Sequence, residues 1–194
     1  MQSNYPFNPN YIDTVKDYAF IERFLLPEQC DDIVDVGTKL KKFKGDVIND
    51  GNLQNDYRDC SLAYIGHNDL PWLFDELAYA IQEINKHHFN FDIWGLAEGL
   101  QFTEYNEPGH QYKIHSDKIF GFNTRKLSCV LQLTDEEEYE GCDLELIYNE
   151  PYTKVPRTRG SLVVFPSYVT HRVTPLISGT RHSLVAWVNG KPFT

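Results

Sequence analysis

Leu127-Ser128-Cys129-Val130-Leu131-Gln132-Leu133-Thr134 contains a short strand, 127–133, and the fold follows from its being one of a series. From Trp94 onward the chain breaks into candidate strands at 98–105, 110–117, 127–133, 143–148, 161–165, 171–176 and 182–188. Gly109, Gly121, Gly141, Gly160 and Gly179 punctuate them, as turn residues should. Short strands at regular spacing predict a β-sandwich or barrel. Upstream the period changes. Cys30, Ile33, Val34, Gly37 and Leu40 recur at helical spacing, predicting a helix near 27–42 that opens with Pro27 and Glu28. Lys41, Lys42 and Lys44 lie at its end, where cations suit the helix dipole. A second helix should start near Leu70, with Asp69 as N-cap and Pro71 in its first turn, and end near Asn85. Leu73, Phe74, Leu77, Ile81 and Ile84 share one face of it, and Cys60–Ile65 reads as a strand between the helices.

The expectation is a mostly β fold with supporting helices, a double-stranded β-helix or jelly roll. One domain spans 1–194, with a helical support region at 1–97 and the jelly-roll core at 98–190. Residues 1 to about 17 read as a loosely held arm. A chain of 194 residues, 41% hydrophobic and 14% aromatic, can build such a core without disulfides or a structural metal.

The formal net charge of −10 repels phosphate backbones and anionic lipid, so no nucleic-acid partner is expected. Cys30, Cys60, Cys129 and Cys142 form no C-x-x-C pair and match no zinc spacing. The amino terminus lacks a signal-peptide pattern, and no apolar run approaches the roughly 18 residues of a membrane span. A cytoplasmic protein with free thiols and no membrane partner is expected.

Tyr112-Lys113-Ile114-His115-Ser116-Asp117 carries a His-x-Asp pair on a predicted strand. Side chains two apart on a strand share a face, so both can reach one ion. His171, after Phe165-Pro166-Ser167 at the start of a later strand, supplies a third donor. Two imidazoles and one carboxylate form a facial triad with open coordination positions, the ligand set of non-haem Fe(II) oxygenases. The pair by itself carries little weight. Seven histidines in a chain about one-seventh acidic give roughly one such match by chance. His67-Asn68-Asp69 is such a decoy, with Asp69 already assigned to a helix cap.

Arg181 gives the triad its context, entering the next strand ten residues after His171, with Ser183 two positions on and on the same face. A guanidinium holds a carboxylate through two parallel hydrogen bonds, as the far end of 2-oxoglutarate requires. His-x-Asp, a distal His and then Arg-x-Ser resembles the prolyl 4-hydroxylase-like branch of the 2-oxoglutarate/Fe(II) oxygenases, closest to its bacterial-type hydroxylases. The resemblance covers about Phe20 to Phe193. It is carried by Glu104-Tyr105 through Asp117, Leu127 through Thr134, Gly160 through Ser167, and Gly179-Thr180-Arg181-His182-Ser183 with Trp187. Gln132 departs from it, standing where several relatives carry a tyrosine that touches the cosubstrate. Cys142 and Asp143 replace parts of a Gly-Gly turn and of the residues just after that turn.

The resemblance implies iron on His115, Asp117 and His171, and 2-oxoglutarate on Arg181 and Ser183 with Tyr105 and Tyr112 near the pocket. O2 is the oxidant and ascorbate an optional accessory. The implied reaction couples decarboxylation of 2-oxoglutarate to hydroxylation of a C–H bond, on a prolyl residue of a peptide or protein or on an amino acid. Trp187 is expected to fill the barrel floor, and 118–126 to form a loop shaping substrate access. Arg58 could face the cavity mouth, though an ordinary surface ion pair is the favoured reading, and His182, of opposite strand parity to Arg181, should point away from the pocket. His110 is expected in a turn, and His87 and His88 on the surface. A non-catalytic jelly roll that binds metal or ligand is the alternative. Halogenation fits less well, because halogenases usually lack the carboxylate ligand that Asp117 provides.

Overall fold

The computed structural model describes residues 17–45, 48–49, 52–53, 57–118, 124–148 and 150–192. Expectations for the arm at 1–17 and the access loop at 118–126 fall largely outside them. Seven strands frame the site: β1 (Leu100–Tyr105), β2 (Gln111–His115), β3 (Arg125–Gln132), β4 (Leu144–Leu146), β5 (Leu162–Pro166), β6 (His171–Val173) and β7 (Arg181–Gly190). The larger sheet runs Ala19–Ile21, β5, β3, β7, β1, Ser61–Ile65, Phe43–Lys44, and Ile93–Leu96 also pairs with β7. The smaller runs Thr153–Lys154, β4, β6, β2, Arg58–Asp59. Each strand pair in both is antiparallel. This is the jelly-roll architecture the strand spacing predicts.

Alternation along the strands gives the larger sheet two different faces. Leu127, Cys129 and Leu131 of β3, Leu184, Ala186 and Val188 of β7, and Leu100 and Phe102 of β1 join one apolar cluster with the helices. Their alternates Val130, Ser183, Val185, Trp187, Gln101, Thr103 and Tyr105 turn to the other side and line a cavity between the sheets. A one-residue slip would exchange these two sets, so burial of the apolar set fixes the register. The helices α1 (Pro27–Lys39) and α2 (Pro71–Ile84) cover the apolar face with Cys30, Ile33, Leu73, Leu77 and Ile81. Gly37 lets α1 lie directly on the Phe102 ring; a Cβ there would stand 2.5 Å from two ring carbons.

The structure departs from several expectations. Asp69 does not cap α2: its Oδ2 accepts from the Gly66 N–H at 2.7 Å, closing the turn before the helix, and Leu70 occupies the N-cap without a side-chain bond. Helix α1 stops at Lys39 because Leu40 turns extended (φ −75°, ψ 159°), leading into Phe43–Lys44 on the sheet. The expected strand at 171–176 divides into β6 and a separate Leu176–Gly179 strand that pairs with Tyr139–Gly141. Pro175 lies at the break, where it cannot donate to a ladder. Among the described residues, no helix is long and apolar enough to cross a membrane.

Candidate metal centre and its cavity

Strand β6 lies beside β2, with His171 directly opposite His115. That register brings together two histidines 56 positions apart in sequence, and Asp117 follows two residues beyond the first. The donor atoms of His115, Asp117 and His171 all lie within 4.8 Å of one another. His115 Nε2 stands 3.8 Å from Asp117 Oδ1, and His171 Nε2 3.6 Å from Asp117 Oδ2. The remaining ring nitrogens meet backbone carbonyls: His115 Nδ1 with Lys113 O at 2.7 Å, His171 Nδ1 with Val169 O at 2.9 Å. A carbonyl only accepts, so each Nδ1 carries the proton and each Nε2 turns a lone pair inward.

Burial and the neighbouring His171 push the His115 imidazolium down to about 3, against the pull of Asp117. Burial would raise the Asp117 carboxyl, but His171, His115 and the Ser128 hydroxyl hold it below its ordinary value. At neutral pH the His115 imidazole is therefore neutral and Asp117 is a carboxylate, the forms in which such groups ligate a divalent cation. Ser128 Oγ donates to Asp117 Oδ2 at 2.6 Å and lies 3.1 Å from Ser167 Oγ, fixing the carboxylate. Sequence reasoning assigned Ser128 no role. Its signal was a hydroxyl on the same strand parity as Val130 and Gln132.

Arg181, 2% exposed, lines the same cavity. Its Nη2 donates to Gln132 Oε1 at 2.9 Å, while Nε and Nη1 are buried without a hydrogen-bond partner among the described residues. Burial works against its charge, but Tyr139, Cys142 and Tyr105 outweigh it, and the group stays cationic. Two orphaned donors on a buried guanidinium suit a carboxylate, whose oxygens accept both. Gln132, the departure from the family pattern, thus braces the arginine. Ser183 faces the same space, and the Tyr105 ring lies 5.6 Å from the Arg181 guanidinium. Tyr112 stacks on the His115 ring with centroids 3.4 Å apart, its phenol pushed up to about 12 by burial. Trp187 lines the cavity wall, with the Arg125 guanidinium 3.6 Å above its ring. The cavity measures roughly 200 Å³, the volume of six or seven liquid waters at about 30 Å³ each.

Other expected positions are mixed. His182 turns to the helix side, 3.1 Å from Glu104 Oε2 and stacked on Phe102. His110 follows a turn and accepts from the Asn106 N–H at 3.2 Å. His87 is exposed, but His88 is half-buried. Of the two readings of Arg58, the cavity-facing one holds and the surface ion pair does not: it is 9% exposed, makes no ion pair among the described residues, and lines the cavity with its guanidinium 4.5 Å over the Tyr112 ring. The Arg58–Asp59 strand pairs with β2, which carries Arg58 inward opposite Tyr112.

The jelly roll thus brings a His-Asp-His cluster and a buried arginine to one cavity. Residues 100–189, a little under half of the chain, match the family model described as the 2OG-Fe(II) oxygenase superfamily. A PKHD-type hydroxylase from Prochlorococcus marinus is 31% identical over 100 residues, covering 51% of this chain and 45% of the relative. Another from Parvibaculum lavamentivorans is 42% identical over 83 residues, 41% of this chain and 37% of the relative. The chain thus spans less than half the length of these curated relatives. The fold is that of a Pseudomonas putida prolyl-4-hydroxylase, with TM-score 0.74, 19% identity, and coverage of 91% of this chain and 94% of the other. A Trichoplax adhaerens prolyl hydroxylase, solved with a hypoxia inducible factor peptide fragment, gives 0.75 at 19% identity over 90% and 84%.

Proposed function

We propose that this protein is an Fe(II)- and 2-oxoglutarate-dependent dioxygenase that hydroxylates a C–H bond of a prolyl residue in a peptide or protein, or of an amino acid. The observation that carries this reading is one cavity holding both a three-donor cluster and a buried arginine with two unpartnered N–H groups. His115, Asp117 and His171 hold the iron. Arg181, braced by Gln132, receives the distal carboxylate of 2-oxoglutarate, with Ser183, Tyr105 and Tyr112 lining its space. When bound, the metal and cosubstrate supply O2 activation coupled to decarboxylation, yielding succinate, CO2 and a hydroxylated product.

The chain's own residues provide orientation and dryness. The two backbone carbonyls fix the imidazole tautomers, Ser128 fixes the carboxylate, and the apolar walls Val130, Leu144, Val173 and Val185 limit water. The same reading takes 1–194 as one domain, with 1–97 supporting the jelly-roll core at 98–190. The names of the relatives, one of them solved with a peptide, support a peptide or protein substrate.

The test is succinate release from 2-oxoglutarate with Fe(II), O2 and ascorbate across a panel of prolyl peptides and amino acids, with His115→Ala as control. The variant should keep its circular dichroism spectrum and lose iron and coupled turnover. Ligand binding without succinate would instead support a non-catalytic module.

A further inference from the structure

Four charged groups line the cavity besides the two metal-facing imidazoles: Arg58, Asp117, Arg125 and Arg181. Arg125 is already answered, with Nε 2.8 Å and Nη2 2.5 Å from the Glu98 carboxylate. On the reading proposed above, a divalent metal and Arg181 together balance Asp117 and the two carboxylates of 2-oxoglutarate. Arg58 is then left over. It pairs with no carboxylate among the described residues, and its Nε is buried without a hydrogen-bond partner. Burial disfavours its charge, yet Cys60, Tyr105 and Tyr112 keep it cationic. Tyr112 lies 4.5 Å from the guanidinium carbon, and Arg58 itself lines the cavity. An unanswered charge in a water-poor site is costly unless a ligand completes it.

We infer that Arg58 is a substrate-recognition residue, and that the substrate places a carboxylate inside the cavity. This rests on the oxygenase reading and narrows it. Tyr112 lies between Arg58 and His115, stacked on both, so the anchoring cation and the metal face share one wall. The carboxylate belongs either to a free amino acid or to an acidic residue beside the oxidised one in a peptide. Arg58 serves as positioning charge, not as a group that moves a proton.

Calorimetry on the full chain loaded with Mn(II), which binds without turnover, tests this. 2-Oxoglutarate is titrated first. The binary complex then receives L-proline against L-prolinamide, and N-acetyl-Ala-Pro-Asp-amide against N-acetyl-Ala-Pro-Asn-amide. In one of the two arms the acid should bind about 10-fold or more tightly than its neutral partner, as a charge-assisted hydrogen bond provides. Which arm responds identifies the source of the carboxylate. Arg58→Gln should abolish the preference while holding 2-oxoglutarate affinity within about 2-fold, and Arg58→Lys should retain part of it. Acid and neutral probes bound alike, or neither bound in either arm, overturn the inference. So does a fall in 2-oxoglutarate affinity in Arg58→Gln, which would give Arg58 to the cosubstrate. If the parent protein fails to bind 2-oxoglutarate, the oxygenase reading itself fails.

Discussion

Ser128 is the smallest side chain on which the centre depends. Its 2.6 Å bond to Asp117 Oδ2 is the hydroxyl contact that keeps the carboxylate aimed at the two Nε2 atoms. Removing an outer partner of a metal ligand typically costs 10- to 100-fold in affinity. Ser128→Ala should therefore weaken Mn(II) or Fe(II) binding by about 10-fold without unfolding the protein, as read by metal titration beside a melting curve. Unchanged metal affinity would mean that Asp117 is held by other contacts. The ligands themselves were legible because two sit at strand spacing and the third precedes an Arg-x-Ser pair in order. Ser128 was not, and Arg58 stood only as the lesser of two readings, because their placement depends on which strand lies beside which. Arg58 lies opposite Tyr112 through pairing across more than fifty residues, and nothing local to Asp56-Tyr57-Arg58-Asp59 announces an inward turn.

The helices matter to the site only through the face they cover. Strands were legible wherever apolar runs met glycine turns, and helix α1 wherever apolar residues kept a period of 3.6. What escaped were the boundaries set by tertiary contacts, such as the division at Pro175 and the loss of the Asp69 cap. Gly37 shows the competition in energy. Alanine in a helix interior is favoured over glycine by about 1 kcal/mol. A Cβ at Gly37 would press on the Phe102 ring at 2.5 Å, and overpacking a tight core costs about 1–3 kcal/mol. Gly37→Ala should accordingly be destabilising by about 1 kcal/mol in urea unfolding, despite its better helix propensity. A gain in stability would show that α1 can lift off β1 freely.

Taken whole, the molecule buries titratable groups in both of its sheets, His115 in the smaller and Glu104 in the larger, and this sets a pH dependence. His115 is held at about 3, far below the ordinary histidine value of 6.5, so between these values the unfolded chain binds the extra proton. Stability rises with pH wherever the unfolded state binds more protons, so this contribution is intact above about 6.5 and is lost as pH falls. Glu104 acts in the same direction at lower pH. Burial raises it, but hydrogen bonds from Lys42 and His182 bring it below its usual value, and its stabilisation disappears as acid protonates it. The metal-free protein should show a urea midpoint that declines steadily from pH 7 to pH 5, and His115→Gln should flatten that decline. A midpoint constant over this range would place the His115 imidazole in water.

Trp187 has one more consequence. The chain has three tryptophans. Trp94 is 67% exposed and Trp72 packs among the helices, whereas Trp187 alone borders the cavity. Nature has thus built an internal lamp into the chamber wall. Loading by metal and cosubstrate should dim only the blue, shielded fraction of the intrinsic emission, and Trp187→Phe should erase that response while the remaining glow is unaltered. Occupancy then becomes readable in a cuvette, without any dye or label.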